Sequence, residues 1–152
     1  MPLVKDKEET DMPLKETVQL RRELEGLAAE LATRKIQPEQ LARLRSLLDD
    51  AIFTKDQYPE SLVKMSDIDV QIHQLIYKIA GNTQLTDIIN TLLDKMTMFW
   101  FQVGFSGSDF HQQFEELEHL YTAMVEKDSQ RAREIMKDHV QHFTELITQN
   151  FF

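Results

Sequence analysis

Residues 66–82 read Ser66-Asp67-Ile68-Asp69-Val70-Gln71-Ile72-His73-Gln74-Leu75-Ile76-Tyr77-Lys78-Ile79-Ala80-Gly81-Asn82. Ile68, Ile72, Leu75, Ile76 and Ile79 recur three and four apart, which is the period of one helical face and not of a strand. Ser66 with Asp69 three positions on resembles a capping box at the start of that helix. Gly81 supplies its stop, and Asn82 can cap the helix that follows. A helix bounded by a one-residue break implies helices packed side by side through short connections.

The same period extends in both directions. Upstream, Pro13 suits a helix start, and Leu20, Leu24, Leu27, Ala28 and Leu31 continue the stripe. Pro38 opens a second helix with Leu41, Leu44, Leu47, Leu48 and Ala51 on one side. Downstream, about 83–103 is the most apolar segment, with Leu85, Ile88, Ile89, Leu92, Leu93, Met96, Met98, Phe99, Trp100 and Phe101. Such breadth predicts a central helix touching neighbours on more than one side. Gly104 to Gly107 reads as a turn with Ser108 as a cap, ahead of Phe110, Phe114, Leu117, Leu120, Tyr121 and Met124. Asp128 caps a last helix carrying Ala132, Ile135, Met136, Val140, Phe143 and Ile147. With no strand pattern, the expected fold class is all-α, an antiparallel bundle of about six helices. Residues 1–12 lack periodicity and read as a flexible linker or remnant, leaving 13–152 as the folded domain.

Composition narrows the function. The chain has 152 residues, 41% hydrophobic and 28% charged, enough for one domain with a buried core. Seventeen Lys and Arg against twenty-six Asp and Glu leave a net charge of -9, a surface that a nucleic-acid backbone repels. The absence of cysteine removes disulfide scaffolds, thiolate metal sites and thiol nucleophiles together. No run of about 20 apolar residues is available to cross a bilayer, and the acidic start lacks a signal core. The expectation is a soluble, cytoplasmic protein.

Few residues carry chemistry. Asp69 and His73 lie four apart and stack on one helical face beside the core. They can share a metal ion or make a plain intrahelical hydrogen bond, and the spacing allows both. His139 sits between Met136 and Phe143 on an inward face, and His142, one turn on, can look into the same space. His111 and His119 read as surface residues. No phosphate-cradling glycine loop, nucleophile elbow or HExxH pattern is present. Two rival functions stay open at this level, a metal-dependent hydrolase and a helical interaction module that binds no ligand.

Taken in order, several stretches resemble the FCD domain, the C-terminal effector-sensing half of the FadR subfamily of GntR transcription regulators. Arg21-Arg22-Glu23-Leu24-Glu25 with Ala28, Ala29 and Ala32 is similar to its opening helix. Asp69-Val70-Gln71-Ile72-His73, then Ala80-Gly81-Asn82 and Leu85, resembles its Asp-x3-His helix and Ala-Gly-Asn-x-x-Leu turn. Glu115-Glu116, Ala123-Met124, Asp128, Ala132, Met136 and His139 resemble its last two helices. The resemblance spans about 14–147. It implies a bundle with a central cavity for a small organic acid or similar metabolite, and a divalent metal (Zn, Ni or Mn) held by one Asp and three His. Asp69, His73 and His139 match three of those positions, whereas the fourth falls on Leu117, so the expected site is degenerate. Three ligands still hold a metal, with water or an effector carboxylate in the open positions. Arg21, Met96, Trp100 and His142 are the expected effector contacts, and the fourth helix, apolar where relatives often carry arginines, either favours an apolar or aromatic portion of the effector or packs the core or a dimer interface. The family further implies a homodimer that meets operator DNA only through an N-terminal winged helix-turn-helix, which this sequence lacks.

Overall fold

The computed structural model describes residues 7–54, 61–102 and 107–151. Six helices occupy them: α1 (Lys7–Lys35), α2 (Pro38–Thr54), α3 (Ser61–Ala80), α4 (Thr83–Gln102), α5 (Gly107–Val125) and α6 (Ser129–Phe151), with no strand among the described residues. The expected all-α class and helix number are therefore observed. No helix among the described residues is long and apolar enough to cross a membrane.

Helix α1 is the hub. It makes its most extensive contact with α6 and also meets α3, α4 and α5, while α2 bridges α3 and α5. Ala28, Ala29 and Ala32 on α1 and Ala132 on α6 are almost fully buried, and such small side chains let backbones approach closely. Gly26 takes this furthest, since a Cβ there would lie 2.7 Å from Lys137 Cγ. Ion pairs flank the seam: Arg133 meets Glu30 at 3.0 Å and Lys137 meets Glu23 at 3.1 Å, an antiparallel register. The apolar core continues through Leu44, Leu48, Ile72, Ile76, Ile89, Leu117, Leu120 and Met124. Each such side chain contributes roughly 1.5–3 kcal/mol on leaving water.

The turns are chemically explicit. Gly81 ends α3 in the left-handed region at φ 70°, and Asn82 Oδ1 accepts the Leu85 amide at 3.0 Å, as the sequence predicts. Asp128 Oδ1 accepts the Arg131 amide at 3.1 Å in the same role for α6. Ahead of it, Lys127 sits at φ 58°, a conformation glycine usually takes. The Asp128 amide reaches back to the Ala123 carbonyl and the Lys127 amide to Met124, a Schellman closure of α5. The Lys127 ammonium donates to the Ile36 carbonyl, and the Lys35 ammonium donates to the Ala80 carbonyl at 2.6 Å. Both turns are thereby clasped to the end of α1.

Four sequence readings need correction. Helix α1 begins at Lys7, so residues 7–12 are helical instead of a lead-in; residues 1–6 lie outside the described residues. Helix α3 already runs from Ser61, which puts Ser66 inside the helix and not at its cap. Helix α5 starts at Gly107, so Ser108 is likewise internal. Finally, the central position among the described residues belongs to α1; α4 does touch more than one neighbour, meeting α1, α6 and, through Gln74 Nε2 to Asn90 Oδ1 at 3.0 Å, α3, but Ile88 is left exposed. The side chains of Met98, Phe99, Trp100 and Phe101, on which that reading leaned, lie outside the described residues.

Candidate metal centre

Asp69 and His73 stand one turn apart on α3, and α6, lying antiparallel to α1, carries His139 to the same level of the bundle. The three side chains each offer a ligand atom, and those atoms lie within 4.8 Å of one another. His73 Nε2 is 3.4 Å from Asp69 Oδ1, and the His73 and His139 rings stack with centroids 5.4 Å apart. Both histidines are buried and Asp69 is partly exposed. The two readings that the sequence left open for Asp69 and His73 thus meet a third group from another helix.

Around this cluster lies a second layer built on two acids, Glu25 and Glu116, to which the sequence motifs containing them assigned no role. Glu25 of α1 is fully buried, 0% exposed. It receives the Tyr77 hydroxyl, faces His73 Nδ1 at 3.3 Å and pairs with Arg21 Nε at 2.5 Å. Arg21 also directs Nη1 to Met96 Sδ at 3.7 Å, which joins two of the expected effector contacts directly. On the other side, Glu116 of α5 faces His139 Nδ1 at 3.4 Å and His142 Nδ1 at 2.5 Å. His142 is therefore engaged with Glu116 at a half-exposed position and stands outside the three-residue group. The side chain of Trp100 lies outside the described residues.

Charge is balanced across the cluster. Burial alone would raise the Glu25 carboxyl, but the Arg21 guanidinium, then His73 and Tyr77, hold it far below the usual carboxylate range. Burial likewise opposes ionisation of Asp69, and His73 outweighs it, so Asp69 is also lowered. Between these two carboxylates His73 is raised to about 10, against the lowering effect of its own burial. Glu116 is lowered by its two histidine contacts despite burial, and its hydrogen bond raises His142. In the metal-free protein a proton on His73 thus does the work of a cation between two acids. A divalent ion bound through Asp69, His73 and His139 would replace that proton, and one carboxylate with two imidazoles is a donor set that first-row divalent metals accept. The residues present fit the metal.

Leu117, at the position where the resemblance expects a fourth ligand, is 1% exposed and offers no donor. One turn ahead of it on α5, Gln113 is buried with neither amide atom hydrogen-bonded. A buried unpaired amide calls for a partner. His119 is exposed and points away, as expected, and His111 is exposed beside a surface hollow of about 150 Å³ formed with Ala51, Met65 and Phe114.

A family profile described as the FCD domain matches residues 16–142. Among solved structures, E. coli McbR/YncC, a GntR-family regulator, superposes with a TM-score of 0.81 at 20% identity. That alignment covers 91% of this chain and 66% of that one, so the chain spans just under two thirds of its length. No curated protein sequence matches.

Proposed function

Since the chain belongs to the FCD domain family, we propose that it is the effector-sensing and dimerisation domain of a FadR-type GntR transcription regulator. FCD domains of such regulators are regulatory modules and not enzymes. In this reading Asp69, His73 and His139 hold a divalent metal, Zn, Ni or Mn, which supplies a Lewis-acidic anchor for the carboxylate of a small organic acid. With Leu117 in place of a fourth ligand, more of the coordination sphere is left to water or effector. Arg21 and Met96 stand beside the anchor. The unpaired Gln113 amide adds a donor and an acceptor for the effector's polar groups, and Trp100 on α4 would contribute the aromatic contact. His142 acts from behind Glu116.

The hypothesised output is a shift in helix packing, passed in a homodimer to an N-terminal DNA-reading module. A coupling of about 1–3 kcal/mol is typical of such control. The single observation that carries this reading is the convergence of three potential ligand atoms from α3 and α6 within 4.8 Å, in a buried place. Metal content and co-purified ligand in native mass spectrometry, with Zn²⁺ titration of the metal-free protein, test it. His73→Ala and His139→Ala should each weaken Zn²⁺ binding while helical content is retained. Wild-type affinity in both variants would reject the site.

A further inference from the structure

We propose that Glu25 and Glu116 are the positioning residues of this metal site, each fixing which nitrogen its histidine turns toward the ion. The inference rests on the metal-site reading above and concerns residues that the ligand motif does not contain.

An imidazole offers two nitrogens, and the one that carries a hydrogen bond to a fixed acceptor leaves the other for the metal. His73 has Glu25 at 3.3 Å from Nδ1 and Asp69 at 3.4 Å from Nε2. His139 has Glu116 at 3.4 Å from Nδ1. The two histidines come from different helices, and their acceptors come from two more, α1 and α5. Each ring is nevertheless held in the same way, by a carboxylate at Nδ1, which leaves Nε2 free for the ion. Both carboxylates are themselves oriented. Glu25 is braced by Tyr77 and Arg21, and Glu116 by His142 on its second oxygen. A negatively charged acceptor also makes the ring opposite it a stronger donor to a cation. Three ligands can then do more than their number suggests, because the two neutral ones are pre-aimed.

The test is a graded series at Glu116, since Glu25→Gln removes the carboxylate that pairs with buried Arg21 and disturbs folding as well. Glu116→Gln keeps the shape and the acceptor oxygen but loses the charge, whereas Glu116→Met loses both. Zn²⁺ affinity, measured by competition with a chromogenic chelator, should fall about tenfold and about a hundredfold, respectively. Helical circular dichroism should stay unchanged in both. Nitrogen-15 spectra of the imidazoles provide the readout that a purely structural role would not move. Zn²⁺-loaded protein should show Nδ1–H and metal-bound Nε2 for both His73 and His139, and the His139 Nδ1 proton should lose its protection in Glu116→Met. Wild-type affinity in both Glu116 variants, or metal on Nδ1 of either ring, overturns the inference. Loss of binding in His73→Ala and His139→Ala alongside unchanged Glu116 variants would leave the metal site standing and remove only the positioning role.

Discussion

His73 illustrates what a single side chain contributes in this bundle. It is raised to about 10 by Asp69 first and Glu25 next, against an ordinary value of 6.5. A group raised on folding stabilises the fold below its unfolded value and loses that contribution as pH climbs through the folded one. The thermal midpoint of chelator-treated protein should accordingly decline between about pH 6.5 and pH 10, and His73→Gln should flatten that decline. A midpoint independent of pH across this window would show that His73 carries no proton there. Zn²⁺ affinity should move the opposite way, rising over the same range as the competing proton leaves. The ligands themselves were legible in the sequence: Asp69 and His73 by their one-turn spacing, His139 by its place between Met136 and Phe143. Glu25 and Glu116 were quoted within family motifs but given no role, because their partners come from other helices and no local pattern joins them. A trace existed for Glu25, which stands in helical register with Ala28, Ala29 and Ala32 on a buried stripe, where an acid needs a reason to be.

At the level of one helix, α1 shows how closely the chain is fitted. Gly26 leaves no room for a side chain, with Lys137 Cγ at 2.7 Å and Arg133 Cγ at 3.3 Å from a Cβ built there. Gly26→Ala gains helix propensity of about 1 kcal/mol while crowding Lys137, so the two effects should nearly cancel. Gly26→Val adds more bulk with only part of that gain and should cost roughly 1–3 kcal/mol, read from the urea midpoint at unchanged slope. Stability equal to wild type in Gly26→Val would mean that α1 and α6 are less tightly apposed than described. Helix ends were readable where the cap belongs to a real boundary, as at Asn82 and Asp128. They were misread at Ser66 and Ser108, whose side chains match cap chemistry although the helix continues upstream. Periodicity locates the faces of α4 but not its neighbours, so the breadth of its apolar residues pointed to a centre that α1 occupies instead.

Across the whole molecule, the metal site gathers groups from separate parts of the chain. Ligands come from α3 and α6, and the carboxylates behind them come from α1 and α5. A bound ion therefore ties distant segments together only in the folded state, and binding should add stability by mass action. At one hundred times its dissociation constant, Zn²⁺ should contribute about 2.7 kcal/mol, which for a chain of this size raises the thermal midpoint by roughly 5–10 °C. Calorimetry with and without a chelator checks this, and an unmoved midpoint at saturating Zn²⁺ would exclude a folded-state site. Six helices and their order were legible in the sequence because each stripe is long and each connection short. Which helix lies in the middle was not, since packing partners are set by side-chain size at the seams, as at Gly26 and Ala28, and not by hydrophobic period.

The lysine clasps at the end of α1 carry one more consequence. With Ile36 and Lys35 pinned to both turns, that end of the helix is a fulcrum. Glu25 lies about 16 Å from Ile36 along the axis and Lys7 about 43 Å. A stiff rod pivoting there would magnify a sideways displacement at Glu25 by about two and a half at its far tip, a swing that the partners of buried Leu14 and Val18 would have to follow.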